Sequence, residues 1–137
     1  LGYFGFAKND PAAAAINRTD IETFLTTTIE PQFLGAGWAA NISVATDETV
    51  TSRIAPEVTA ETSVSANEVA FRKLMLAAVV GVELFDSALG GEAMLGVSEY
   101  IIGQAGSATG ELTELQGKTG LVEERMRRAN DQLIAQK

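Results

Sequence analysis

From Met94 onward the chain repeats a single spacing. Met94, Ser98, Ile101, Ala105, Ala108, Leu112, Leu115, Thr119, Val122, Met126, Ala129 and Leu133 follow one another in alternating steps of four and three residues. Nearly every stop is apolar or small. A stripe of that period turns a helix into one side of a coiled-coil-like seam. No proline interrupts residues 92–137. At about 1.5 Å rise per residue such a helix would run roughly 70 Å, more than a chain of this size can bury. The stripe therefore demands a partner that the chain itself is expected to supply only in part.

The partner is not expected to be a nucleic acid or a membrane. The net charge is −8, and both the part before Ser65 and the part after it are acidic, so no basic field is available to a phosphate backbone. The longest apolar run, Leu74 to Val82, spans about half of what a bilayer crossing needs. No signal-peptide pattern opens the chain. The chain begins at Leu1 and stops at Lys137 with the helical pattern still running, as expected of a fragment. Cysteine and histidine are both absent, which removes thiol nucleophiles, imidazole bases and the usual zinc, haem and iron–sulfur ligand sets.

Read in order, Leu1–Lys8 fits an extended segment. Asp10-Pro11 and the four alanines after it read as an N-cap with proline at the first helical position. Thr19-Asp20-Ile21-Glu22 has the form of a capping box, opening a helix that should end before Pro31, with Ile21 and Phe24 on its buried edge. Beyond Trp38, expected in a core or at a domain junction, the period changes to two. Residues 41–46 and 48–54 read as a hairpin around Asp47, with Ile42, Val44 and Val50 inward, and residues 58–64 as a third strand. Ser65-Ala66-Asn67-Glu68 is a second capping box. It opens a helix with Val69, Ala70, Leu74, Ala77, Ala78, Gly81, Leu84, Phe85 and Ala88 on one face. Gly90-Gly91 ends it and allows an antiparallel return, an αα-hairpin.

With Met94 at heptad position d, Gly96, Gly103, Gly110 and Gly117 fall at f, and Gly106 and Gly120 at b. All six lie away from the seam. Each costs about 0.5–1 kcal/mol relative to alanine inside a helix, which a merely solvated face does not require. They are expected either to break the helix around Gly103–Gly110 or to admit a neighbouring backbone as subunit contacts. Glu114–Lys118, Glu123–Arg127 and Glu124–Arg128 are spaced as i,i+4 pairs, while Arg125, Arg127 and Arg128 fit a solvated face or an interface equally. Folded back at Gly90-Gly91, the preceding helix covers the seam only to about Leu115, leaving Val122, Met126, Ala129 and Leu133 to fray, pair in trans or meet an upstream helix.

No catalytic constellation emerges. A serine or threonine nucleophile would need Lys8, Lys73, Lys118 or Lys137 as its base, and none stands in a recognisable motif. Gly90-Gly91 and Gly103–Gly110 lack the strand-then-lysine context of a phosphate loop. Catalysis, cofactors, metals and small-molecule substrates are not expected.

Thr51-Ser52-Arg53-Ile54-Ala55-Pro56, Val58-Thr59-Ala60-Glu61-Thr62-Ser63, Asn67 and Ala70-Phe71-Arg72-Lys73-Leu74 resemble the C-terminal half of the bacterial flagellin superfamily, most nearly its hook–filament junction members. The run from Gly120 to Leu133 is similar to that superfamily's terminal helix, with Arg125, Ala129 and Leu133 at the matching spacing. The resemblance spans about Trp38 to Lys137. It implies a secreted structural subunit of the flagellum, without cofactor or catalysis, whose helical inner domain carries the subunit contacts and whose β-rich domain lies outside. Arg125 would be among those contacts. The acidic pair Glu123-Glu124 departs from common filament flagellins.

Together these features predict an α+β chain. Residues 1–56 would belong to a β-rich outer domain with short helices, and residues 57–137 to a long-helix antiparallel hairpin that assembles with its own upstream helices and with neighbouring subunits. Filament flagellin and a coiled-coil adaptor binding a foreign helix are the alternatives.

Overall fold

The computed structural model describes residues 2–5, 7–55, 58–61 and 63–135. The helical elements are α1 (Arg18–Phe24), α2 (Glu30–Leu34), α3 (Val69–Leu84) and α4 (Gly91–Ala135). The strands are β1 (Thr51–Ala55) and β2 (Val58–Glu61). The described chain is mostly helical, with one two-stranded sheet.

Within Leu1–Lys8, expected to be extended, the described residues turn instead, and the helices expected after Asp10 are present with shifted bounds. Gly2–Phe4 forms a short 3-10 turn. Asp10 caps a second one at Pro11–Ala15, its carboxylate accepting from the Ala12 N–H at 2.9 Å. α1 starts two residues before the Thr19 capping box because Asn17, an equally good cap, accepts from the Asp20 N–H at 2.9 Å. Glu22 is thereby released to Arg18, at 2.6 Å. Nor does the helix end before Pro31. Leu25–Ile29 forms a π turn in which the Glu30 N–H reaches Leu25 O, and α2 carries Pro31 in its first turn. Widening the helix by one residue gives the pyrrolidine ring room that a regular turn denies it.

The hairpin lies one segment later than expected. Trp38–Ile42 is a single wide turn and residues 43–50 are irregular. The antiparallel pair is β1 with β2, in the register Thr51↔Glu61, Ser52↔Ala60 and Arg53↔Thr59. Ile42, Val44 and Val50, expected inward, are all exposed, Val44 completely. Side-chain hydrogen bonds from Asn67 hold residues 43–47 as a loop, so no ladder forms there. The expected third strand stops at Glu61, and its Thr62 lies outside the described residues.

α3 and α4 form the antiparallel hairpin: Lys73 meets Ser107 and Glu111, and Gly81 lies beside Ile101. α3 ends at Leu84 rather than at Gly90-Gly91. The corner is pinned by the N-terminal segment, with the Ala88 N–H bonded to Lys8 O at 3.2 Å. A Cβ on Gly90 would stand 2.7 Å from Ala14 O, so only glycine fits there. The buried face of α3 is Ala70, Leu76, Ala77, Val80 and Leu84, leaving Val69, Leu74, Ala78 and Phe85 of the expected face exposed. The rotation follows from a second layer. Phe24, Leu25 and Ile29 border Val79, Val80, Glu83 and Leu84, so α3 is wedged between α4 and the N-terminal helices.

One core results. Ala13, Ile16, Ile21, Leu25, Phe33 and Trp38 pack with Leu76, Val80 and Leu84 of α3 and Ala93 and Val97 of α4. Residues 1–56 were expected to form part of a β-rich outer domain with short helices. They are mostly helical, share this core with α3 and α4, and contribute only β1 to the sheet.

Candidate interaction surface

α4 is continuous for 45 residues, about 68 Å, with no break at Gly103–Gly110. Along its stripe Ala108 and Ala129 are buried. Met94, Ile101, Ala105, Leu112, Leu115 and Val122 are partly buried, while Met126 (37 %) and Leu133 (49 %) are exposed. The hairpin supplies cover that was not foreseen: α4 contacts β1, and Glu61, Ser63 and Val64 line a cavity with Thr119, Val122, Glu123 and Met126. The seam beyond Leu115 thus has a partial partner within the chain.

The first turns of α4 bury a second face. Ala93, Gly96 and Val97 are buried and Tyr100 half-buried. Sequence reasoning missed these residues, although Val97 and Tyr100 at i,i+3, next to the small Ala93 and Gly96, mark a second packing line. Gly96, expected as an outward subunit contact, instead faces α1. A Cβ there would lie 3.1 Å from Arg18 Cγ and 3.3 Å from Glu22 Oε1. Arg18 bridges Glu22 and Glu99 over this point, and these two carboxylates, Glu22 first, raise the Arg18 pKa above its ordinary value. The Tyr100 hydroxyl donates to Glu30 Oε2 at 3.0 Å. Burial first, and then this bond, push its pKa up from the usual phenol range.

Gly103, Gly106, Gly110, Gly117 and Gly120 are exposed, and a Cβ at each would touch nothing. Together they forgo roughly 2.5–5 kcal/mol of helix stability relative to alanine, and no contact within the described chain recovers it. Arg125 is exposed. Glu124, rather than Glu123, pairs with Arg127, while its Oε1 accepts from Arg128 Nε at 2.8 Å. The Arg128 hydrogen bond is the chief reason its carboxyl is held below the usual range. Glu114 and Lys118 pair as expected, at 3.0 Å.

A polar hub joins the loop to α3. Asn67 is buried, and its Oδ1 accepts from Trp38 Nε1 at 2.7 Å and from Ser43 Oγ at 3.1 Å. Its Nδ2 donates to Ala45 O at 2.8 Å and to Asp47 Oδ1 at 2.9 Å. The Asn67 carbonyl accepts from Arg72 Nε at 2.7 Å, and that guanidinium sits 5.3 Å above the Trp38 ring. This arrangement replaces the expected capping box. The Ser65 hydroxyl accepts from the Asn67 N–H at 3.1 Å, and Glu68, at the cap position, makes no side-chain capping bond.

The outer side of α3 carries a run of exposed apolar residues. Phe71, Leu74, Met75, Ala78, Val79, Val82 and Phe85 are all exposed and share one face without a charge among them. A helix apolar all round belongs in an interior, and a surface patch of this kind marks an interaction site. Among the described residues no group of three His, Cys, Asp or Glu side chains is placed to hold a metal, and no helix is long and apolar enough to cross a membrane. No protein-family model, curated protein or solved structure matches the chain.

Proposed function

We propose that this chain is part of a structural, non-catalytic subunit of the bacterial flagellum, of the type that joins hook to filament (hook-associated protein 3). On this proposal it is secreted, uses no cofactor, and self-assembles through its long helices. Its partners are helices upstream in the same protein and neighbouring subunits. The observation that carries the proposal is α4: 45 residues long, with seam residues only partly covered at Met126 and left exposed at Leu133. A subunit that stacks with copies of itself has a use for such a strut, and for the row Gly103, Gly106, Gly110, Gly117 and Gly120, where another backbone could approach closely. Arg125, exposed on the same distal half, is available to a neighbour. The finer division into an inner helical and an outer β-containing part belongs to the same proposal, with the hairpin as the outer element.

Deleting the gene in the bacterium that encodes it tests this. Hooks that remain while filaments are shed into the medium would support the junction role. Hooks without any filament protein would indicate filament flagellin instead. Normal filaments and normal swimming would refute both. The exposed seam residues Met126 and Leu133 also favour a second reading, a coiled-coil adaptor that captures a partner helix, for which deletion would leave the flagellum intact.

A further inference from the structure

We propose that the outer face of α3 docks a second copy of the same chain, antiparallel, about a two-fold axis at Ala78. The inference does not depend on the flagellar reading; it rests on the self-complementarity of this face. Phe71 and Phe85 stand seven residues to either side of Ala78, and Leu74 and Val82 four to either side. In an antiparallel pair Phe71 of one copy meets Phe85 of the other, Leu74 meets Val82, and Ala78 meets Ala78. The smallest side chain on the face therefore sits at the axis, where the two backbones come closest, and the largest sit at the ends. All five are exposed in the single chain, Val82 to 72 %.

Charge selects the direction. Arg72 and exposed Asp86 lie on the same flank of the stripe, six residues before Ala78 and eight after it. Antiparallel pairing brings Arg72 of each copy beside Asp86 of the other, twice by symmetry. Parallel pairing places the two copies' equivalent flanks on opposite sides of the contact, so Arg72 of one copy no longer meets Asp86 of the other and both ion pairs are lost. Arg72 is already held by Asn67 O and the Trp38 ring, so little side-chain freedom is lost on pairing. About 1,000 Å² for the pair, roughly 500 Å² from each copy, is the lower limit of a specific interface, which this face has to supply nearly whole. A micromolar dimer is the expected strength. Because the contact is isologous it closes at two copies and does not propagate into a fibre.

The test uses the 137-residue chain, whose lack of cysteine makes single-cysteine variants clean. Sedimentation equilibrium from micromolar to several hundred micromolar should show a monomer–dimer equilibrium. Val82→Glu should weaken it at least tenfold with unchanged far-UV circular dichroism, since Val82 makes little contact in the single chain. Under mild oxidation Ala78→Cys should form a disulfide-linked dimer. Asp86→Cys should not, because antiparallel copies place those two positions about 24 Å apart along the helix axis. A chain that stays monomeric at several hundred micromolar overturns the proposal, as does Asp86→Cys cross-linking as readily as Ala78→Cys. If a further segment of a longer protein occupies this face, attaching that segment abolishes the Ala78→Cys dimer, and the pairing is overturned for that protein.

Discussion

Replacing Asn67 with alanine removes four side-chain hydrogen bonds at once, and their cost can be apportioned. Ala45 and Asp47 are exposed and Ser43 is half-buried, so these three partners regain water, and each forfeits only the net value of a bond, about 0.5–1 kcal/mol. Trp38 is different. It is buried at 6 % exposure and its indole N–H has Asn67 Oδ1 as its partner. Leaving that donor without an acceptor costs about 1–3 kcal/mol by itself. The expected loss is therefore about 2.5–6 kcal/mol, a large share of the 5–15 kcal/mol that stabilises a typical domain. Urea unfolding followed by circular dichroism measures it, and fluorescence reports locally because Trp38 is the only tryptophan. The Asn67→Ala emission should shift in the native baseline as loop 43–47 loosens. A Trp38→Phe variant, which removes the donor instead, should cost less, and the double variant should show coupling of about 1 kcal/mol or more. A loss below about 1 kcal/mol for Asn67→Ala, or strict additivity with Trp38→Phe, would refute the claim that this hub fastens the loop to α3.

Other perturbations separate glycines that are required from glycines that are merely present. Gly103→Ala, Gly110→Ala and Gly117→Ala should each raise the thermal stability of the isolated chain by about 0.5–1 kcal/mol, whereas Gly90→Ala should cost about 1–3 kcal/mol because its methyl meets the Ala14 carbonyl. For Tyr100 the folded-state pKa lies above the unfolded one. Its contribution is thus complete below the ordinary phenol pKa and is lost as pH rises through the folded value; absorbance titration near 295 nm should show this ionisation delayed, and Tyr100→Phe should abolish the delayed step. Glu124 has the opposite sign. Its pKa is lowered in the fold, chiefly by Arg128, so its support for the end of α4 is present above the ordinary carboxylate pKa and fades as pH falls through the folded value. Glu124→Gln should remove that acid-side loss of helicity, and Glu123→Gln should not.

Local signals that act within one turn of chain were legible. The Asp10-Pro11 start, the antiparallel return, the seam period of α4 and the Glu114–Lys118 pair follow from spacing alone, whereas the continuity of α4 through Gly103–Gly110 and the end of α3 at Leu84 do not. Signals that two neighbouring residues could answer equally well were not. Asn17 out-competed Thr19 as a cap, Glu124 took the arginine assigned to Glu123, and Ser65 bonded to the Asn67 N–H rather than capping α3. Each alternative is locally close to its rival, and at Asn17 and Ser65 long-range partners of the neighbouring side chains, Glu99 and Trp38, bear on the choice.

By itself, then, the sequence determined the period of α4, the antiparallel return and the excess of apolar surface, because helix periodicity and turn chemistry are properties of neighbouring residues. Which face of α3 is buried, where the hairpin begins, and that Gly96 meets α1 while five other glycines meet nothing were decided only in the tertiary structure. Those outcomes depend on the layer laid across α3 by residues 13–38. A helix as apolar as α3 can bury any of its sides, and packing against that layer chose one and left the other open.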